Sequence, residues 1–224
     1  MDSSAIPFFI CIAIVVIAFA IFGWLQEKKR RKAFQELAAR LGLRYVAKDN
    51  TLPRRYEFLD KLRQGSNRYA YNLLKGEYKG YPIEAFDYHF ETHSTNSKGQ
   101  RSTQHHHFSF FILHFGRNFP ELRIYPEGLL QKLGQMLGFE DIDLESAEFS
   151  QAFCVRSKDR RFAYDICNTA MMEYLLEHRF LSLEIENDCL ALGADERLTP
   201  EAIPMRLDKL VHIRSLFPEY LFRD

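Results

Sequence analysis

The stretch Tyr69-Ala-Tyr-Asn-Leu-Leu-Lys-Gly76, carried through Glu77-Tyr-Lys-Gly80 into Tyr81-Pro-Ile-Glu-Ala-Phe-Asp-Tyr-His-Phe90, decides the fold class. Its hydrophobic period is two, the spacing that turns alternate side chains to opposite faces of a strand. Lys79-Gly80 interrupts the pattern, and a glycine there can take positive φ, so the whole stretch predicts a β-hairpin. Gly76 and Gly80 do not make a phosphate loop. Such a loop needs Gly-Lys-Ser/Thr opening a helix, whereas Gly80 leads into Tyr-Pro and a strand pattern.

Working outward, the polar segment Ser94 to Gln104 is followed by two predicted strands, His107 to Phe115 and Glu121 to Tyr125, with Asn118 and Pro120 at the bend. Pro126 to Leu137 predicts a short helix stopped by Gly138, and Gln151 to Arg156 another strand. Phe162, Ile166, Ala170, Met171, Tyr174 and Leu175 share one face of a predicted helix from Asp159 to His178, with Ser157 or Asp159 as cap. Phe180 to Glu186 and Cys189 to Gly193 predict a second hairpin across Asn187-Asp188. Thr199-Pro200 opens a C-terminal helix through Leu207, Leu210, Val211, Arg214 and Phe217. Upstream, Leu43 to Lys48 reads as a strand and Tyr56 to Leu62 as a short helix. Strands and helices do not alternate regularly, so the expected class is α+β with a mainly antiparallel sheet and packed helices.

The N-terminus obeys a different rule. From Ala5 to Leu25 no side chain is charged, and a helix of that length spans about 31 Å, the thickness of a bilayer core. Asp2 precedes this run and Lys28, Lys29, Arg30, Arg31 and Lys32 follow it. A cleaved signal peptide has the opposite charge order, although Ala18-Phe19-Ala20 has the form of a cleavage site. A core helix would show a polar face, and none exists between Ile6 and Gly23. The expectation is a transmembrane helix whose basic flank keeps the C-terminal part in the cytoplasm and the N-terminus outside. Trp24 falls where an interfacial ring would lie, and the basic run can also meet anionic headgroups. Phe34, Leu37, Ala38 and Leu41 continue at helical spacing to Gly42, with no flexible linker before the domain. The expected organisation is residues 1–25 as tail and transmembrane helix, 26–42 as basic juxtamembrane helix, and 43–224 as one α+β domain.

With 30 basic and 30 acidic side chains the net charge is zero, but residues 33–224 hold 25 basic and 28 acidic ones, a net of −3. A mildly acidic domain has no general field for nucleic acid, which is not expected as a partner. The cysteines, Cys11, Cys154, Cys167 and Cys189, show no C-x-x-C spacing, and the last three lie among apolar neighbours as small buried hydrophobes.

One constellation has metal chemistry. Phe86, Tyr88 and Phe90 occupy even positions, while Asp87, His89, Glu91 and His93 occupy odd ones. The next strand carries Phe108, Phe110 and Ile112 at even positions behind His105, His106 and His107. If the aromatic faces share one core, His105 and His107 join His89, Glu91 and His93 on the other face. In a register summing to 198, His93 faces His105 and Glu91 faces His107. Glu91, His93, His105 and His107 are then candidate zinc ligands, three imidazoles and a carboxylate, against the plainer reading of a solvated polar strand face. No nucleophile elbow, dinucleotide fingerprint or kinase set is present, and no Cys/His pair can be named from the sequence.

Gly76-Glu-Tyr-Lys-Gly80-Tyr-Pro-Ile-Glu-Ala-Phe-Asp-Tyr-His-Phe90, Phe153-Cys-Val-Arg-Ser-Lys-Asp159 and the helix through Met171-Met172 resemble a group of bacterial single-pass membrane proteins of uncharacterised activity. The resemblance implies one N-terminal span and a cytosolic α+β domain, and brings no functional residues with it. The function expected is a non-enzymatic protein- or lipid-interaction module at the inner face of the bacterial membrane, without a cofactor. The alternative is a metal sensor or metal-dependent hydrolase built on the His/Glu cluster.

Overall fold

The computed structural model describes residues 5–96, 99–127, 141–194 and 196–223, with side chains from residue 13 onward apart from 60 and 61. The helix expected from Pro126 to Leu137 lies outside the described residues except at its start. The chain opens with α1, Ala5–Leu41. It stops at Gly42, whose φ of 70° lets the Leu43 N–H turn back to the Ala38 carbonyl at 2.8 Å. Phe34, Leu37 and Ala38 are buried, so the last turns of α1 are part of the domain core. Among the described residues no helix is long and apolar enough to cross a membrane. The side chains of residues 5–12 lie outside the described part, and the expected span rests on the sequence.

The sheet has six strands: β1 Arg44–Asp49, β2 Ser66–Tyr78, β3 Tyr81–Thr95, β4 Arg101–Pro126, β5 Phe153–Ser157 and β6 Ser182–Ala194. All pairings are antiparallel, in the order β1-β2-β3-β4-β5, with β6 also on β4. The predicted hairpin is present. Lys79 and Gly80 both take positive φ (49° and 84°) between the paired Tyr78 and Tyr81, the turn that suits the twist of two strands.

Two expectations about the strands are corrected. The strands predicted on either side of Asn118 form one strand, β4. Its bend is absorbed by Gly116 at φ 73° and by register shifts between His114 and Leu122. The second hairpin does not form. β6 continues through Asn187-Asp188 as one strand and pairs with β4 from Leu183 to Ala194. Asn187 does take a left-handed φ of 54°, but it serves a bulge opposite Phe119. Asn tolerates that conformation in a turn or in a bulge alike, so the residue type alone cannot separate them.

Helices cover both faces. On one lie the end of α1 and α4 Ala147–Ala152, α5 Arg160–Ile166, α6 Thr169–Glu177 and α7 Ile203–Ser215, after which Glu219–Phe222 make a 3₁₀ turn. The single helix expected from Asp159 to His178 is two. Asp159 caps α5 through the Phe162 N–H, and Asn168 caps α6 by accepting from the Met171 N–H at 3.1 Å. The Asn168 amide also donates to the Leu216 carbonyl at 2.9 Å, fixing the break against the C-terminal segment. On the other face, α2 Leu52–Arg55 and α3 Asp60–Arg63 cover Leu52, Tyr56, Leu59 and Leu62 packed with Phe86, Tyr88 and Phe110. Full burial of an apolar side chain of this size contributes roughly 1.5–3 kcal/mol. The fold is thus α+β on a mainly antiparallel sheet, the class read from the period-two runs.

Candidate functional site

β3 and β4 pair in a register two residues from the one expected. His89 lies opposite His107, Glu91 opposite His105, and His93 opposite Thr103. The shared face survives because a shift by two preserves the side to which each residue points. The partners change, and with them the group that converges. His89, Glu91 and His105 bring ligand atoms within 4.8 Å of one another. His93 turns to the Ser66 and Thr103 hydroxyls at 3.0 Å each. His107 places Nδ1 3.0 Å from the Tyr71 hydroxyl.

Within the converging group the proton positions follow from the neighbours. His89 Nδ1 faces the Asn67 carbonyl at 3.2 Å, which can only accept, so Nδ1 carries the proton and donates. In the neutral ring Nε2 then keeps its lone pair, 3.1 Å from His105 Nδ1. His105 Nδ1 also lies 3.5 Å from Glu91 Oε1, and Glu91 accepts from the Asn67 amide at 2.6 Å. That last bond, with the positive charge available on His105, His89 and His93, holds the Glu91 carboxyl below its ordinary pKa. Asn67 serves both residues because β2 bulges between Ser66 and Tyr69, where Asn67 takes a φ of 48°. His89 is buried under the Tyr69 ring, 4.6 Å between centroids. Burial, and then the charge available on His89, lowers the pKa of His107. A carbonyl-oriented imidazole with a free Nε2, a second imidazole and an ionised carboxylate can hold a divalent ion.

The same face joins α1. Asp87, fully buried, accepts from Arg30 Nη2 at 2.8 Å, from the Asn72 amide at 3.0 Å and from the Leu198 N–H at 2.6 Å. Arg30 therefore points inward and leaves the set of cations expected to face headgroups. Lys28 lies over the Trp24 ring, and Arg31 and Lys32 make exposed pairs with Glu27 and Glu36. Arg197 lies 3.9 Å from Glu27 and over the Tyr71 ring, which leads on to His107. Phe34 stacks on Tyr45, which pairs with Leu74 and through it with the level of Ala85, whereas Arg30 meets Asp87. Toward its N-terminus α1 thus follows β3 toward its C-terminus, and the histidine face lies on the side of the sheet nearer the uncharged run.

A second group escaped the sequence reading. His114, Asp188 and Cys189 also bring ligand atoms within 4.8 Å of one another. No local spacing announces them, because β4 and β6 meet only through the fold.

No protein-family model matches the chain, and no curated protein does. Among solved structures the fold is similar to the crystal structure of the mycobacterial trehalose monomycolate transport factor A, TtfA. The two are 12% identical, with a TM-score of 0.60 over 85% of this chain and 95% of that one. At that identity the likeness shows the fold alone.

Proposed function

We propose that the chain is a single-pass protein of the bacterial inner membrane, N-terminus outside, whose cytoplasmic α+β domain is a non-enzymatic lipid-interaction module held at the membrane surface. In this reading residues 1–25 are tail and span, 26–42 the juxtamembrane helix and 43–224 the domain. One observation carries it: α1 is unbroken from Ala5 to Leu41, so the uncharged run and the buried Phe34, Leu37 and Ala38 belong to one helix. A helix that ends inside the core, and is pinned to Asp87 by Arg30, holds a domain at a fixed height, where a flexible tether would let it roam. The uncharged run supports a span, and Lys28, Lys29, Arg31 and Lys32 support a cytoplasmic surface rich in anionic headgroups. A groove between α1 and the segment after β6, lined by Gln26, Lys29, Arg197 and Pro200, opens beside that surface. The likeness to a trehalose monomycolate transport factor supports a lipid, rather than nucleic acid, as the ligand.

The test is fractionation of the full chain expressed in a bacterium, followed by lipid extraction from the protein purified without detergent exchange. The expected result is retention in alkali-washed membranes, release on deletion of residues 5–25, and a co-purifying lipid. Recovery of the intact chain in the soluble fraction overturns the reading, as does a lipid-free preparation that crosslinks in membranes only to another protein.

The convergence of His89, Glu91 and His105 supports a second reading, a metal-binding domain acting as a sensor or metal-dependent hydrolase. It revises the ligand set expected from sequence by placing His89 in it and His93 and His107 beside it. Zinc titration of the full chain, followed by its melting temperature, tests this reading. A zinc-induced rise smaller in both His89→Ala and His105→Ala than in the parent is expected, and a rise unchanged in both variants excludes the site.

A further inference from the structure

His114 on β4 and Cys189 on β6 are directly opposed across the two strands. Asp188 precedes Cys189 in the chain, and in a regular strand their side chains would point to opposite faces. Here both address one imidazole. His114 Nδ1 lies 3.0 Å from Asp188 Oδ2 and 3.6 Å from Cys189 Sγ, while Cys189 Sγ lies 3.2 Å from Asp188 Oδ1. The bulge at Asn187 makes this possible, since the ladder is interrupted between His114 and Phe119 and the strand is re-aimed there. A zinc ion bonded to sulfur at about 2.3 Å and to nitrogen and oxygen at about 2.0–2.1 Å sets tetrahedral edges of roughly 3.3–3.6 Å. The two edges from the imidazole, 3.6 Å to sulfur and 3.0 Å to Asp188 Oδ2, lie within a few tenths of an ångström of such edges, and one ligand atom from each of the three residues lies within 4.8 Å of the other two.

The far side of the imidazole is built as well. His114 Nε2 is 3.1 Å from the Tyr56 hydroxyl, which donates to the buried Glu84 carboxylate at 2.9 Å. Glu84 is in turn paired with Arg55 at 3.2 Å. Because the Tyr56 proton goes to Glu84, its oxygen is left to accept from an Nε2–H. Without a metal the Asp188 carboxylate, which can only accept, takes a hydrogen bond from Nδ1–H at 3.0 Å; with the Nε2–H held by Tyr56, a cation would take the place of that Nδ1 proton. An imidazole whose outer N–H leads through a hydroxyl to a carboxylate is the usual support of a metal-bound histidine. Cys189 donates its S–H to Asp188 Oδ1 at 3.2 Å, and a bound cation would displace that proton to solvent.

We propose that His114, Asp188 and Cys189 form a zinc site, with Tyr56 and Glu84 orienting the histidine. One thiolate, one imidazole and one carboxylate suit zinc among the common divalent ions, and Asp188, the most exposed of the three, leaves a side open for a fourth ligand. This site is independent of the His89 cluster, which contains no sulfur.

Cobalt titration of the full chain in detergent tests the proposal. The expected result is a thiolate-to-metal charge-transfer band in the near ultraviolet whose full amplitude corresponds to one cobalt per chain, displaced by zinc. Cys189→Ser is expected to abolish the band, while Cys154→Ser, Cys167→Ser, His89→Ala and His105→Ala retain it. Tyr56→Phe, which keeps all three ligands, is expected to weaken zinc by about tenfold or more, a readout that does not depend on Cys189→Ser folding. Absence of the band in the wild-type chain overturns the proposal, as does its survival in Cys189→Ser or an unchanged affinity in Tyr56→Phe.

Discussion

Arg30 of the juxtamembrane helix and Asp87 at the centre of the sheet meet at 2.8 Å, with the carboxylate fully buried and the guanidinium side chain 20% exposed. Asp87 also accepts from Asn72 and from the backbone of Leu198. Three elements distant in sequence thus converge on one carboxylate, and the orientation of α1 over the sheet depends on it.

Arg30→Ala leaves that carboxylate buried with only neutral donors. Removing one partner of a buried pair costs about 3–5 kcal/mol, and the partial exposure of Arg30 argues for about 3 kcal/mol. For a chain of this length that is a fall in melting temperature of roughly 6–12 °C. Arg31→Ala, which loses only an exposed pair with Glu27, is expected to cost less than about 0.5 kcal/mol. Thermal melts of the full chain in detergent followed by near-ultraviolet circular dichroism compare the two, and equal melting temperatures exclude the assigned role of Arg30.

The sequence announced the first hairpin because Lys79-Gly80 and the period-two runs agree, and it announced the end of α1 because Gly42 follows the last apolar position. It did not announce the register of β3 on β4. Both candidate registers keep Phe86, Tyr88 and Phe90 on the aromatic face, and the choice falls to contacts such as Phe86 against Phe110 and Asn67 against Glu91. That is why residues of the right type were found with the wrong partners. The break at Asn168 was hidden for a related reason. Apolar spacing runs through Cys167-Asn168 undisturbed, and only the docking of Asn168 on Leu216 reveals two helices.

Asp208 on α7 accepts from the Tyr78 hydroxyl and from Lys79 Nζ, each at 2.7 Å. These bonds, that of Lys79 foremost, lower its folded pKa below the ordinary 3.8. The unfolded chain then binds the proton more readily, so the contribution is complete above the unfolded pKa and is lost as pH falls through the folded one. Asp208→Asn is expected to cost less than about 1 kcal/mol at neutral pH, since both partners are half exposed, and to flatten the fall in stability below pH 4. Urea unfolding at a series of acidic pH values reads this out. A variant whose acid limb parallels the parent's excludes the linkage.

Cys154 and Cys167 are buried, and desolvation pushes both thiols up to about 12. Asp141 adds to the effect at Cys154 by accepting its S–H. With so little thiolate at neutral pH, neither is expected to react with iodoacetamide in the folded chain, and both are expected to react once it is denatured. Mass spectrometry of the labelled peptides decides the point. Rapid native labelling of either residue excludes this account of its environment.

Gly65 sits at φ 67°, and a Cβ built on it would overlap the Glu91 carbonyl oxygen and the Phe90 ring. Gly80 has a similar φ of 84° but faces open space. An alanine at either position meets the left-handed penalty of about 1–2 kcal/mol. Only at Gly65 must β3 also move, and Glu91 with it, because the obstructing atom is backbone. Gly65→Ala is therefore expected to destabilise the chain by at least about 2 kcal/mol more than Gly80→Ala, within the range of strained-backbone costs. It is also expected to weaken any metal bound through Glu91 while sparing the charge-transfer band assigned to Cys189. Parallel chemical denaturation and metal titration of the two variants separate strain from obstruction. Equal stabilities would mean that the close approach of Gly65 to Glu91 does not set the position of that carboxylate.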